Sequence, residues 1–271
     1  MRMINIAVVY DSTLKPETEI SAKDAIKEAN KYKSEACCIS VLGHINHFDS
    51  SIDACVVYGG DGLLLNTANK IAKYGIPIIG VNYGRVGYLC KIEPISEDSH
   101  LLVLFDIIDD IHNGALKLDY RTRISAEVNG EVVADALNEI SIGGINRTVY
   151  LSMSTKGLHE EIELEAIGDG LIFSTRTGSS AYNVNAGGSV LLDDDVFSIV
   201  ANNSIFKSDK LPVNTKSLIT SSDISFNIEI TNKNKDNIPF LVADGQRTIQ
   251  LYKDDIITIK KSKYTTKFIL I

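Results

Sequence analysis

One carboxylate stands among three glycines where an apolar run breaks: "VVYGGDGLLL", Val56–Leu65, sets Asp61 between Gly59-Gly60 and Gly62. Two readings are open. Gly reaches positive φ freely and Asp bonds its own backbone, so the stretch can be an ordinary turn between a strand and a helix. Bare glycine backbone also lets a ligand come close, with Asp61 as the group that meets it. A second candidate is Asn138-Glu139, inside the apolar run Ala136–Ile142. Burying such a pair costs several kcal/mol unless its bonds are made. A ribose diol fits, because a carboxylate accepts from both hydroxyls; a structural pair bonded to backbone is the alternative. The third is Asp169-Gly170 with the "LIFSTRTGSSAYNVNAGG" that follows. From Ser174 to Ser180 every residue except Arg176 is Ser, Thr or Gly, and Tyr182, Asn183, Asn185 and Gly187-Gly188 come next. Hydroxyls and bare amides at that density suit the oxygens of phosphates and riboses, although a polar turn loop can share the composition.

Other polar clusters carry less. His44-x-x-His47 with Asp49 reads as a solvated loop, and Asp193-Asp194-Asp195 as a charged one. No protein residue is therefore expected as a metal ligand. "GVNYGRVG" lacks the dinucleotide fingerprint, and the chain has no G-x-x-x-x-G-K-[ST] phosphate loop.

These residues need elements to hold them. Over the first 115 or so residues strands and helices alternate. Ile4–Tyr10, Ala36–Val41, Ala54–Tyr58 and Ile76–Val81 read as buried strands. Pro16 opens a helix with Ile20, Ala25, Ile26, Ala29 and Tyr32 as its apolar positions; Leu64, Ala68, Ile71 and Ala72 make a second stripe after the glycines. Ser96 can cap a third helix, faced by Leu101, Leu104, Phe105, Ile108 and Ile111 and ended by Asn113-Gly114. This pattern predicts an open parallel sheet covered by helices. From about Leu118 the period becomes two, and Asn129-Gly130 between alternating runs marks a hairpin. Leu151–Met153, Ile162–Leu164, Leu171–Ser174, Ser225–Ile230, Phe240–Val242, Thr248–Leu251 and Ile256–Ile259 read as short strands, with one helix near Ser180–Ala186. The second half is thus expected to be a mostly antiparallel β-rich domain.

Composition narrows the classes of function. The chain has 271 residues, 44% hydrophobic and 23% charged, enough for one large or two modest globular domains. Its net charge is −8 and no dense Lys/Arg cluster occurs, which argues against nucleic acid as a partner. Apolar stretches such as Leu101–Phe105 are too short to span a bilayer, and the N-terminus enters a strand-like run too soon for a signal peptide. Cys37, Cys38, Cys55 and Cys90 form no C-x-x-C pair and are expected as reduced thiols in a cytoplasmic protein.

Taken together, the motifs resemble those of the ATP-dependent NAD kinase family along nearly the whole chain. The family's glycine-aspartate loop is similar to Gly59–Gly62. Its G-x-N-x-G-x-x-G-[FY]-L segment is similar to Gly80–Leu89, its Asn-Glu pair to Asn138-Glu139, its long D-G-L-I signature to Asp169–Gly188, and its D-G-Q to Asp244–Gln246. The loop alone is shared with lipid kinases and phosphofructokinases; the order and spacing of all five is specific. The resemblance implies an α/β lobe over 1–116, a β-rich NAD-binding domain over 117–250, and a tail over 251–271 that returns to the first lobe. It implies transfer of the γ-phosphoryl of Mg-ATP (Mg²⁺ or another divalent metal) to the 2′-hydroxyl of the adenosine ribose of NAD. Asp61 would be the catalytic base, with Gly59, Gly60, Gly62 and Arg176 at phosphates. Gly62, Tyr88, Asn138, Glu139, Asp169, Thr177, Ser180, Ala181, Tyr182, Asn185 and Asp244 would bind NAD. Members are usually cytoplasmic homo-oligomers, so the resemblance implies a cytoplasmic homodimer or homotetramer here. A non-catalytic NAD sensor, or a lipid or sugar kinase sharing the loop, is the alternative.

This chain departs from the family's pattern in three places. Leu63 stands where the loop has Thr, Arg176 where the signature has Pro and Ser180 where Thr is usual, and a Pro-His-Ser-Leu stretch is hardly visible in "VANNSIFKSDKLPV". Arg176 adds a five-donor cation beside Thr177-Gly178-Ser179, so it is expected either at a phosphate or in water.

Overall fold

The computed structural model describes residues 3–11, 15–31, 38–44, 47–94, 99–144, 148–158, 161–212, 214–231 and 239–271. Tyr32, the start of the Ala36–Val41 strand and the Ser96 cap lie outside them. The chain forms two compact units, Met1–Tyr120 with Tyr264–Ile271, and Arg121–Lys263.

In the first unit β1 (Met3–Tyr10), β2 (Cys38–His44), β3 (Ala54–Gly59) and β4 (Ile78–Asn82) run parallel in the order β2-β1-β3-β4. Between them in sequence come α1 (Pro16–Lys31), α2 (Asp61–Ile71) and, after β4, α3 (Ser99–Asn113). Every residue of β3 is buried, as a strand inside a covered parallel sheet requires. Ile6, Val8, Val56 and Val81 pack with Ala22, Ala25 and Ala29 of α1 and Leu104 and Ile108 of α3. Because β3 and β4 are parallel and Gly59 pairs with Asn82, the glycine-aspartate turn and the "GVNYGRVG" turn leave the sheet side by side. That edge, the carboxyl end of the strands, is where open α/β sheets take ligands.

The second unit is built from β5 (Lys117–Val128), β6 (Glu131–Ala136), β7 (Glu139–Gly144), β8 (Val149–Lys156), β9 (Glu163–Gly168), β10 (Gly170–Ser174), the one-turn α4 (Tyr182–Asn185), β11 (Val196–Asn202), β12 (Phe206–Lys207), β13 (Ser217–Ser221), β14 (Ser225–Ile230), β15 (Pro239–Ala243), β16 (Arg247–Gln250) and β17 (Ile257–Leu270). Asn129 (φ 54) and Gly130 (φ 85) make the turn of the β5–β6 hairpin, the two left-handed positions a type I′ turn needs. One antiparallel sheet has the order β13-β11-β10-β7-β15-β16. A second runs β12-β9-β8-β14-β17, with β5 paired to β17. Phe173, Phe197, Phe226, Ile140, Ile142 and Leu241 fill the core of this unit. The fold is the expected one: a parallel α/β part and a mostly antiparallel β-rich part.

The strand pattern passes over β11, the two-residue β12, β13 and most of β17. β11, inside the six-stranded sheet, and β13 are not marked by alternation. Ile256–Ile259 is only the start of β17, whose interior carries Lys260, Lys261, Lys263 and Lys267.

Candidate functional site

Two clusters emerge, one in each unit. In the first, Gly60 caps α2 in extended backbone (φ −98, ψ 179) and Asp61 is the helix's first residue. Its carboxylate is gripped by the neighbouring turn: the Tyr88 N–H donates to Oδ2 at 2.9 Å, and those of Leu89 and Cys90 donate to Oδ1 at 3.0 and 2.9 Å. Asn82 shapes that turn, accepting from the Gly84 N–H at 2.8 Å and donating to Glu93 at 2.8 Å. The two glycine turns touch, since a Cβ on Gly60 would lie 3.5 Å from the Gly84 Cα. At Gly59 and Gly80 a Cβ would strike Leu63 and Cys90 respectively, so packing explains both. At Gly62 it would meet nothing within 4 Å, so packing does not explain that glycine. Tyr88 is 66% exposed beside this turn. Burial first, then the Asp61 carboxylate, pushes the Cys90 thiol up to about 12, which leaves it protonated.

The second cluster sits at one end of the six-stranded sheet. β7 runs antiparallel to β10 and β15, so its first residue meets their last ones: Glu139 pairs with Ser174, and Ile140 with Ala243. Asn138-Glu139, the Ser174–Ser180 loop and Asp244 therefore converge. Glu139 is buried at 8% exposure. Asn138 Oδ1, Glu139 Oε2 and Thr177 Oγ1 are buried without a hydrogen-bond partner among the described residues. Burial first, then the Asp244 charge, pushes the Glu139 carboxyl up to about 7. Three unpartnered oxygens in one corner cost free energy that a donor-rich ligand would recover.

The remaining expected residues are spread more widely. Asp169 is exposed just before β10, roughly 17 Å from Glu139 at the strand's rise per residue. Its carboxylate accepts from Asn203 Nδ2 at 2.6 Å, and the Tyr182 hydroxyl accepts from Asn202 Nδ2 at 3.0 Å. Asp169 and Tyr182 line a groove of ≈ 360 Å³ with Ser141, Gly143, Phe240 and Thr248, which does not include Glu139. Ser180 and Asn185 are exposed and Ala181 half-buried beside Tyr182. Arg176 is not a free cation: its Nη1 is ion-paired with Asp194 at 2.5 Å, so the charged loop 193–195 has a partner that its composition hides. Asp49 accepts from Ser51 N–H and Oγ at 2.7 and 2.5 Å; among the described residues no three His, Cys, Asp or Glu gather as a metal site.

Sequence reasoning passes over Asn82, Thr175 and Asp194. The Asn-x-Gly of an Asx turn could have signalled Asn82. Thr175 and Asp194 work over separations of 38 and 18 residues, where no local spacing points to them.

A parallel α/β unit with a carboxylate at a helix N-terminus, and a β-rich unit with a donor-seeking corner, suit a protein that handles nucleotides and phosphates. Residues 2–104 match the model of the ATP-NAD kinase N-terminal domain and residues 137–271 that of the ATP-NAD kinase C-terminal domain. An NAD kinase of Clostridium botulinum (strain Kyoto / Type A2) is 32% identical over 232 residues, 83% of this chain and 75% of that protein. One from Methanosarcina acetivorans is 27% identical over 223 residues, 82% and 75% of the two chains. Two solved structures share the fold. An NAD kinase from Archaeoglobus fulgidus in complex with ATP has a TM-score of 0.67 and 22% identity, over 98% of this chain and 94% of that one. Yeast NADH kinase complexed with NADH has a TM-score of 0.76 and 16% identity, over 100% and 84%. The chain belongs to the ATP-NAD kinase family, and its activity is that of an NAD kinase. The lipid- or sugar-kinase alternative is set aside. No helix among the described residues is long and apolar enough to cross a membrane.

Proposed function

We propose that this kinase joins the γ-phosphoryl group of ATP to the 2′-hydroxyl of the adenosine ribose of NAD, with Asp61 as the general base. The ribose oxygen attacks the γ-phosphorus, the bond to the β,γ-bridging oxygen breaks, ADP leaves, and Asp61 takes the hydroxyl proton. Oδ1 already accepts two N–H groups and Oδ2 one, so Oδ2 is the oxygen with room for a hydroxyl. Gly59, Gly60 and Gly62 offer phosphates the start of α2, where amides and the helix dipole favour negative charge. A divalent cation, Mg²⁺ in the simplest case, would neutralise charge on the triphosphate. With no cage of protein ligands among the described residues, ATP itself would carry it in.

Asn138 and Glu139 take the adenosine end of NAD, and the single observation that carries this is the pair of unpartnered buried oxygens, Asn138 Oδ1 and Glu139 Oε2. Adenine amino and ribose hydroxyl groups are the donors they lack. Thr177, Ser180, Ala181 and Tyr182 supply walls and hydroxyls for the same nucleotide, and Asp169 with Asn185 lies toward its nicotinamide side. A cytoplasmic homo-oligomer is the supported setting: Cys55 and Cys90 are free buried thiols, and Val184, Val190 and Leu192 (88% exposed) give a second copy an apolar surface to cover. The test is purified protein with NAD and Mg-ATP and a coupled readout of NADP. NADP formation that Asp61→Asn removes is the expected result. NAD binding without any NADP would make the protein a sensor.

A further inference from the structure

We infer that Asp244, with Thr175 opposite it, is a positioning residue that aims Asn138 and Glu139 at the nucleotide, rather than a ligand of the nucleotide. The inference rests on the proposed role of the Asn-Glu pair. Asp244 follows β15 in left-handed backbone (φ 52), where a short polar side chain is tolerated, and is 6% exposed. Its carboxylate collects three consecutive amides: the Leu137 N–H donates to Oδ2 at 2.9 Å, and those of Asn138 and Glu139 donate to Oδ1 at 2.7 and 3.2 Å. Its own N–H donates to the Glu139 carbonyl at 3.0 Å, so backbone ties the two residues in both directions. Thr175 holds the carbonyls of the same corner. Its Oγ1 donates to Leu137 O at 2.6 Å and its N–H to Asn138 O at 2.9 Å. Gly178 lies so close to the Asn138 backbone that a Cβ there would overlap it.

Every main-chain group from Leu137 to Glu139 that these bonds reach is therefore spent, while Asn138 Oδ1 and Glu139 Oε2 stay unpartnered. A corner whose backbone is fixed from two sides and whose side chains are left unsatisfied is preorganised for an outside partner. Asp244 spends its charge inward, on amides; the same charge helps to push the Glu139 carboxyl up.

The experiment uses the full chain, with NAD affinity by calorimetry, KM for ATP, and hydrogen exchange at the amides of residues 137–139. Asp244→Asn is expected to weaken NAD binding about tenfold or more, to leave the ATP KM within about twofold, and to speed exchange at those amides about tenfold or more. Added to Glu139→Gln it is expected to cost little further affinity, because it acts through that residue. Losses that multiply in the double variant with unchanged exchange would show Asp244 to be a nucleotide ligand. Faster exchange with unchanged NAD affinity would reduce the clamp to a structural one; either result overturns the inference. If Asp244→Asn does not fold, Thr175→Val, which removes one anchor of the same corner, must show the same signature or the inference falls. Failure of the underlying reading is seen elsewhere: Glu139→Gln alone, with Asp244 intact, would then bind NAD as the parent does.

Discussion

Asp61 anchors the 88–90 turn and, in the proposed reaction, also takes the hydroxyl proton, so a substitution has to be read for both. Asp61→Asn retains an oxygen for two amides but leaves an amino group where the Asp61 carboxylate now meets a third N–H. A modest loss of stability, about 1–3 kcal/mol, is therefore expected together with the catalytic one. At saturating NAD and ATP, turnover should fall by roughly 10²–10⁴, the usual worth of a positioned base, with NAD affinity kept within a few-fold. Equal losses in affinity and turnover would mark Asp61 as an anchor of the 88–90 turn and nothing more. Glu139 gives a pH prediction of definite sign. Its folded value of about 7 lies above the ordinary 4.5, so the protonated carboxyl stabilises the fold below pH 4.5, and that stabilisation is lost as pH rises through 7. Denaturation at pH 5 and pH 8 should show ligand-free Glu139→Gln, always neutral, gaining on the parent by roughly 2–3 kcal/mol at the higher pH. NAD binding should run the other way. Ribose hydroxyls donate to the ionised form, so parent affinity should rise as pH passes 7 while that of Glu139→Gln stays flat. A flat profile in both would remove the carboxylate from the nucleotide site.

Among the elements, the loop after β10 shows what sequence can and cannot carry. The alternating run of β7 and the apolar run of β10 are local, and their types can be read directly. So can the hairpin at Asn129-Gly130, because a type I′ turn leaves its signature in two adjacent residues. β17 is hidden because lysines interrupt its apolar alternation, and the Asp244 bonds are hidden because they join residues 105 to 107 positions apart. Arg176 belongs with these. A cation among hydroxyls suggests a phosphate, yet the residue that answers it is Asp194, which ties the loop after β10 to the segment before β11. Ser179 strengthens the same tie, its Oγ donating to Arg176 O at 2.7 Å and accepting from the Leu191 N–H at 2.9 Å. The pair is partly exposed, at 32% and 22%, so its worth is about 0.5–1 kcal/mol. Arg176→Ala and Asp194→Asn are therefore expected to lower stability by similar small amounts and to leave the ATP KM within about twofold. A tenfold rise in ATP KM for Arg176→Ala, with a fall for Asp194→Asn as the cation is freed, would return Arg176 to a phosphate.

At the scale of the whole molecule the chain passes between its two units twice, near residue 120 and again near 263, and β17 makes the second passage as one unbroken strand. Its first residues belong to the β-rich unit: Phe226 pairs with Ile259, and Ile257 and Ile259 lie in that core. Its last residues belong to the α/β unit, where Phe268 runs parallel beside Ile78 of β4 and Ile269 is 6% exposed in the other core. Each core takes residues from this strand, so the unfolding of the two units is expected to be coupled. Ile269→Ala removes buried methyl groups from the α/β core and should cost about 2–4 kcal/mol. Because Asp61 and its turn are held by that unit, the loss should also lower the temperature at which activity survives, while kcat at 25 °C stays near the parent's. Calorimetry should show one transition in the parent and one, moved to lower temperature, in Ile269→Ala. Two resolved transitions, with only the earlier one moved by the substitution, would show that the units melt independently and that β17 links them by chain alone.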